Sequence, residues 1–241
     1  MKIIKVNATD STNAFIKRGI RNASIKETTC VWALEQTNGK GQRGTKWMSG
    51  TGENLTFSIF FKVPQAIQST PFAKSMLVAL SIFKALNKYS LPQLKIKWPN
   101  DIMSANKKIG GILIENTIQN AVLSETVIGI GINVNQENFE GLPKASSIKN
   151  ILGISLPLEM LLKQIIAEIE NSFTNYHSKD FNTVKNQFET RLFRLKKPST
   201  FVISGEEFPG IIKGVTDEGL LQILHENGLK TYSLKEVELK Y

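Results

Sequence analysis

The stretch Gly39-Lys40-Gly41-Gln42-Arg43-Gly44 places three glycines and two cations within six residues, and Lys46 and Trp47 follow after Thr45. Glycine lets backbone N–H groups approach an anion closely, and successive N–H groups can cradle one. Lys40, Arg43 and Lys46 add positive charge, and the Trp47 indole offers a flat apolar face on which a base could stack. The letters match a dinucleotide fingerprint, but that site needs a helix straight after the glycines and an acidic ribose partner about 20 residues on. Here Thr45 to Gly52 has no helical character, and no acid stands at that distance. A Walker A loop and the kinase motif set are absent as well. Phosphate binding by the loop is the reading that remains, against a bland rival of a solvated basic loop.

A second candidate is Lys97-Trp98-Pro99-Asn100-Asp101-Ile102 followed by Lys107-Lys108-Ile109-Gly110-Gly111-Ile112-Leu113. On local grounds Pro99-Asn100-Asp101 is a turn. Glycines inside an apolar strand cost stability and often mark close approach of a ligand to the backbone, so Lys107 or Lys108 could deliver an ammonium there. A third candidate, Gly129-Ile130-Gly131-Ile132-Asn133, repeats the strand glycines and ends on an Asn that must be paired by backbone or by ligand. The fourth, Asp10-Ser11-Thr12-Asn13, reads first as a helix N-cap. His177 and His225 share no motif with each other or with Cys30, and both read as surface residues; no triad, Cys–His pair or metal cluster is suggested.

These motifs need elements to hold them. Alternation at Lys2–Val6 predicts a strand, and a short helix follows over residues 14–18. Thr29–Leu34, Leu55–Val63, Leu94–Trp98, Ile109–Thr117 and Val122–Val134 read as strands, the last two around a turn at Gln119-Asn120. Pro71 to Tyr89, Leu158–Tyr176 and Phe181–Leu192 read as helices. From Ser199 short strands alternate with Gly205, Pro209-Gly210, Asp217-Glu218-Gly219 and Asn227-Gly228, which predicts a small β unit beyond a boundary near Lys196-Lys197-Pro198. The class is α+β, a mixed and mostly antiparallel sheet with helices, because residues 109–117 and 122–134 lie too close for a crossover helix.

The 241 residues carry a net charge of +9, unevenly. Residues 1–100 hold 15 basic and 4 acidic groups; the remainder holds 15 and 17. This suits a nucleic acid, an anionic small molecule or an acidic protein partner, and composition does not choose among them. An apolar content of 41% supports a real core and argues against disorder. No apolar run has the length of a membrane span, the first residues are too polar for a signal peptide, and one cysteine forbids an internal disulfide. A reduced, cytoplasmic protein without membrane association is expected.

Taken in order, Asp10-Ser11-Thr12-Asn13, Gln36-Thr37 with Gly39-Lys40-Gly41-Gln42-Arg43-Gly44 and Trp47, then Lys97-Trp98-Pro99-Asn100-Asp101 with Lys108 and Gly111-Ile112-Leu113, then Gly129-Ile130-Gly131-Ile132-Asn133-Val134-Asn135 resemble the biotin–protein ligases. With the small β unit, the resemblance covers nearly the whole chain. It implies a class II aminoacyl-tRNA synthetase/biotin ligase-like sheet domain over 1–196 and an SH3-like β-barrel over 197–241. It implies ATP and biotin as substrates, with Mg2+. Biotin would be adenylated to biotinyl-5′-AMP and passed to a lysine of a biotin carboxyl carrier protein, releasing AMP.

By that resemblance Ser11, Thr12, Asn13, Gln36, Gly39, Lys40, Gly41, Gln42, Lys108, Gly111 and Ile112 would form the biotin site. Lys40, Arg43, Trp47, Asn100 and Asn133 would serve ATP, with Trp47 packed on the adenine. Lys108, which fits the family spacing better than Lys107, would offset charge on the reacting oxygens together with Arg43. Asp101 would orient or deprotonate the acceptor lysine. Where the family loop often carries further arginines, this chain has Lys40, Gln42 and Thr45, and a lysine gives a point charge in place of a two-pronged contact. The first motif begins at residue 10, so no N-terminal DNA-reading unit and no sequence-specific DNA binding are expected. Lipoate ligation and passive ligand binding are the rival readings, and a homodimer is the expected assembly.

Overall fold

The computed structural model describes residues 1–61, 71–119, 122–234 and 236–241, and the side chains of Arg43, Pro71, 117–119 and 122–124 lie outside that description. Two sheets organise the chain. The first has seven strands in the order β1-β2-β3-β7-β6-β5-β4. They are β1 Lys2–Thr9, β2 Thr29–Gln36, β3 Leu55–Phe61, β4 Lys95–Lys97, β5 Asp101–Ser104, β6 Lys107–Gln119 and β7 Val122–Ile132. All neighbouring pairs are antiparallel except β1 with β2, which run parallel and are joined by helix α1, Thr12–Arg21. The sheet is mixed and mostly antiparallel, as read from sequence; its one βαβ unit places Thr12 and Asn13 at the start of its crossover helix. The expected strand over residues 55–63 is seen to Phe61, and Lys62, Val63 and the Asn120 of the expected turn lie outside the described residues.

The apolar runs are explained by layers on both faces. Along β3, Leu55, Phe57, Ile59 and Phe61 join the main core, while Phe60 faces a smaller cluster with Ile16, Ile25, Val31 and Val127 beneath α1. This is the two-residue period of a strand, with both faces covered. The main core is closed by α2, Pro71–Asn87, and α4, Leu158–Thr174; α3, Ile148–Leu152, and α5, Phe181–Glu189, are the other α-helices after α1 among the described residues. On α4 the buried residues Leu161, Leu162, Ile165, Ile166, Ile169 and Phe173 form one stripe at helical spacing.

The second sheet is antiparallel, in the order β11-β10-β9-β8-β12. Its strands are β8 Pro198–Ile203, β9 Glu206–Val215, β10 Leu221–His225, β11 Gly228–Tyr232 and β12 Glu238–Lys240. β8 begins where the small β unit was expected. His225, expected on the surface, is half-buried; it stacks on Phe208 at 4.4 Å between centroids and shares a 2.5 Å hydrogen bond with the Tyr232 hydroxyl. The two sheets share one core, since Phe201, Ile212, Val215, Leu221 and Ile223 belong to the same cluster as Ile96 and Leu192. The Trp98 indole also crosses between them, donating to the Gly219 carbonyl at 2.9 Å.

Candidate active site

Strand register assembles the centre of the site. Lys97 pairs with Asp101, Asp101 with Gly111, and Gly111 with Gly131, so residues far apart in sequence form one row across four strands. Over that row lies a cavity of about 520 Å³, within the usual size of small-molecule sites. Its walls include Ser11, Thr12, Asn13 and Gln36, then Lys40, Gly41, Gln42 and Trp47, then Lys97 to Asp101, Lys108, Gly111 and Ile112. The second sheet adds Phe201, Leu221, Glu238 and Leu239.

One wall is a chain of hydrogen bonds at the start of α1. Ser11 occupies the N-cap position but its side chain makes no cap bond, and Asp10 instead forms a two-pronged pair with Arg18, which holds its carboxyl well below the usual range. The Thr12 N–H donates to Gln36 Oε1 at 2.8 Å, and the Thr12 hydroxyl lies 3.0 Å from the same oxygen and 2.6 Å from the Ser58 hydroxyl. Ser58 donates to Asn13 Oδ1, Asn13 Nδ2 donates to Glu115 Oε2 at 2.7 Å, and Lys17 pairs with Glu115 Oε1 at 2.6 Å. The local N-cap reading of Asp10 to Asn13 holds for the position of Ser11 and not for a side-chain cap: Thr12 and Asn13 take partners on β2, β3 and β6.

The other wall concentrates charge. Lys108 Nζ lies 2.6 Å from Asp101 Oδ1, and Lys97 Nζ lies 3.8 Å from Asp101 Oδ2. Burial, opposed by Asp101 and assisted by Lys108 and Lys144, lowers the Lys97 ammonium below its ordinary range. The Tyr241 ring sits 5.3 Å from Lys97 Nζ and 4.6 Å from Lys144 Nζ.

The glycine loop is a small hairpin. Lys40 and Lys46 form a bridge, Gly41 N–H donates to the Thr45 carbonyl at 2.7 Å, and Trp47 N–H donates to the Gly39 carbonyl at 3.0 Å around a 3-10 turn at Gln42–Gly44. A Cβ at Gly39 would lie 2.4 Å from the Trp47 carbonyl oxygen, so this glycine is set by the closeness of the two arms. The sequence reading had these glycines opening the backbone to an anion; the Gly41 N–H is instead used inside the hairpin. The strand glycines Gly111, Gly129 and Gly131 line the cavity, and they also make room for the chain's own side chains. A Cβ on Gly131 would lie 2.4 Å from the Trp47 ring, and one on Gly129 would lie 2.5 Å from Asn13 Oδ1. The groups that approach this backbone closely are the chain's own side chains. The Trp47 Nε1–H is buried without a partner among the described residues, and Lys108 Nζ stands 5.9 Å from the ring.

Most of the residues anticipated from sequence therefore line one cavity. Gly39 and Asn133 do not line it: the Asn133 amide donates to the Ser146 carbonyl at 3.0 Å, which meets its pairing need from within the chain. Asn100 lines the cavity while its amide donates to the Ile112 carbonyl at 2.8 Å. The Arg43 side chain lies outside the described residues. Sequence reasoning missed Ser58 and Glu115, whose only signal was a polar residue inside an apolar strand, and it gave Lys97 no role although its motif was noted. It also missed the contribution of the second sheet.

This geometry belongs to a ligase fold: residues 6–133 match the Biotin/lipoate A/B protein ligase family, and the chain is a member of that family. Its relatives include the bifunctional ligase/repressor of Escherichia coli, 26% identical over 238 residues, 96% of this chain and 72% of that one. The biotin–[acetyl-CoA-carboxylase] ligase of Paracoccus denitrificans is 27% identical, with 95% of this chain and 97% of its own covered. Among solved structures, a biotin protein ligase from Aquifex aeolicus in complex with biotin and ATP superposes with a TM-score of 0.83 at 26% identity, covering 99% of this chain and 98% of that one.

Proposed function

We propose that this protein joins biotin to ATP, forming biotinyl-5′-AMP and pyrophosphate, and then passes biotin to a lysine of a carrier protein domain, releasing AMP. The observation that carries the reading is the Lys108–Asp101 pair, set beside the Gly111 and Gly131 row in a cavity whose other wall presents Thr12 and Gln36. In the first step a biotin carboxylate oxygen bonds to the α-phosphorus and the bond to the pyrophosphate oxygen breaks. Lys108 opposes the negative charge that gathers on the oxygens around that centre, where a fixed ammonium in a partly dry site acts most strongly. In the second step the acceptor amine attacks the acyl carbon, the anhydride C–O bond breaks, and AMP leaves. Asp101 Oδ1 is held by Lys108, so Oδ2, the oxygen farther from an ammonium, is the atom that receives the amine's hydrogen bond and proton.

Magnesium would arrive with ATP as part of the substrate. Among the described residues no group of three or more His, Cys, Asp or Glu could hold a metal. That donor set fits an ion carried mainly by phosphate oxygens and water. No helix among the described residues is long and apolar enough to cross a membrane. Residues 1–196 would carry the chemistry, and 197–241 would close one wall of the cavity and border the acceptor's approach.

The test is mass spectrometry of a biotin carboxyl carrier domain incubated with the protein, MgATP and either biotin or lipoate. A gain of one biotinyl group, dependent on ATP, supports the reading; no gain, or a gain with lipoate alone, overturns it.

A further inference from the structure

Proton bookkeeping along the α1 wall yields a direction. Asn13 Oδ1 can only accept, so the Ser58 proton must lie on the line to it; otherwise two acceptors would face each other at 2.5 Å. The 2.6 Å contact between Ser58 and Thr12 then needs the Thr12 proton. A hydroxyl has one proton, so the 3.0 Å approach of Thr12 to Gln36 Oε1 receives none, and that oxygen takes the Thr12 N–H. Both hydroxyls of this network therefore point away from Gln36 and toward Asn13. What keeps Asn13 facing this way is Glu115. Its carboxylate can only accept, so it demands the Asn13 NH₂, and the Lys17 ammonium holds it in place. Gly129 leaves just enough room for this arrangement of Asn13.

We infer that Glu115 is a positioning residue for substrate choice. Acting through Asn13 and Ser58, it leaves the Thr12 hydroxyl oxygen and Gln36 Oε1 as a face of acceptors toward the cavity, which selects a head group bearing N–H donors. The inference rests on the proposed function and deepens it: a cyclic urea supplies such donors, and the dithiolane ring of a lipoyl group supplies none. With glutamine at position 115 the restriction lifts. A carboxamide can offer NH₂ as well as oxygen, Asn13 is free to turn, and both hydroxyl protons can reverse, so that Thr12 donates to Gln36 and the acceptor face is lost. A site built to bond a substrate N–H rejects an analogue lacking it strongly, and that selectivity goes when the site's own polarity is not fixed.

The experiment measures pyrophosphate release by the full chain with biotin and with a cyclic carbamate analogue of biotin, in which one ring N–H is replaced by oxygen. For Glu115→Gln the KM for biotin should rise about tenfold with the KM for ATP within about twofold, and the preference for biotin over the carbamate should fall by a similar factor. The double variant Asn13→Asp/Glu115→Gln should restore the preference. Its carboxylate at position 13 can only accept, from Ser58 and from the carboxamide NH₂ introduced at position 115. An unchanged preference in Glu115→Gln overturns the inference, as does a loss that the double variant fails to restore. Absence of biotin-dependent pyrophosphate release by the unaltered chain is a separate result, and it overturns the biotin reading together with the inference.

Discussion

Lys108 Nζ and Asp101 Oδ1 lie 2.6 Å apart, although their residues come from strands joined through a register shift between Ile102 and Met103. The pair ties the two half-reactions to one contact, and substitutions should separate them. Lys108→Ala should slow pyrophosphate release at least about tenfold, roughly 1.4 kcal/mol of barrier. Asp101→Asn should leave adenylate formation within a few-fold and slow transfer from preformed biotinyl-5′-AMP to a carrier domain by at least about tenfold. Single-turnover measurement of the two steps checks this, and equal losses in both steps for Asp101→Asn would reject the division of labour.

The glycines of β7 give the second prediction. A methyl at Gly131 would meet the Trp47 ring at 2.4 Å, so Gly131→Ala should displace the indole, change its fluorescence and raise the KM for ATP about tenfold. Gly129→Ala would meet Asn13 at 2.5 Å and should raise the KM for biotin instead. The crossed pattern is the signature, and it would be absent if both glycines served only the strand.

Lys74 predicts a pH dependence of stability. It is 1% exposed, donates to Asn116 and Thr126, and burial lowers its pKa to about 8 from 10.5. Between those two values the unfolded chain binds the proton more than the folded chain does, so stability rises with pH across that window. The cost of burying the ammonium is fully present below about pH 8 and is gone above about 10.5. Urea unfolding of the unaltered protein and of Lys74→Met, at pH 7.5 and 10, should show the former gaining about 2 kcal/mol relative to the variant, below the full linkage value because pH 10 still lies inside the window.

Cys30 is buried, and burial pushes its thiol up to about 12. The nucleophile in alkylation is the thiolate. The native protein at pH 8 should therefore resist iodoacetamide over hours, with one alkylated cysteine appearing only after denaturation. Rapid modification of the folded chain, read by mass, would contradict this burial.

Local patterns revealed much of this molecule. The strands read over residues 29–34, 109–117 and 122–134 were legible because each carries an apolar run, residues 30–33, 109–114 and 127–132, much of which is buried. Thr12, Gln36, Asp101 and Lys108 were legible because polar groups stood in fixed short motifs. What stayed hidden depends on contacts distant in sequence. Nothing near Ser58 says that its hydroxyl meets Asn13 from 45 residues away, and nothing near Glu115 names Asn13 and Lys17. The strand glycines were read as room for a ligand, since a missing side chain tells that something comes close but not what. The parallel pairing of β1 with β2 was likewise invisible, because a single short crossover gives no repeating pattern.

The hairpin of residues 39–47 bonds chiefly to itself: Gly41 to Thr45, Thr45 to Gln42 and Trp47 to Gly39. A segment already folded in this way would move, if it moves, as one stiff body, with the Trp47 ring as the part that meets the sheet. Ordering a loose loop of this length would cost about 1–2 kcal/mol for every residue fixed. A flap whose backbone is set beforehand escapes most of that cost when it shuts on a ligand. Its shape, more than its charge, would then govern how tightly so small an enzyme can keep a reactive anhydride from water.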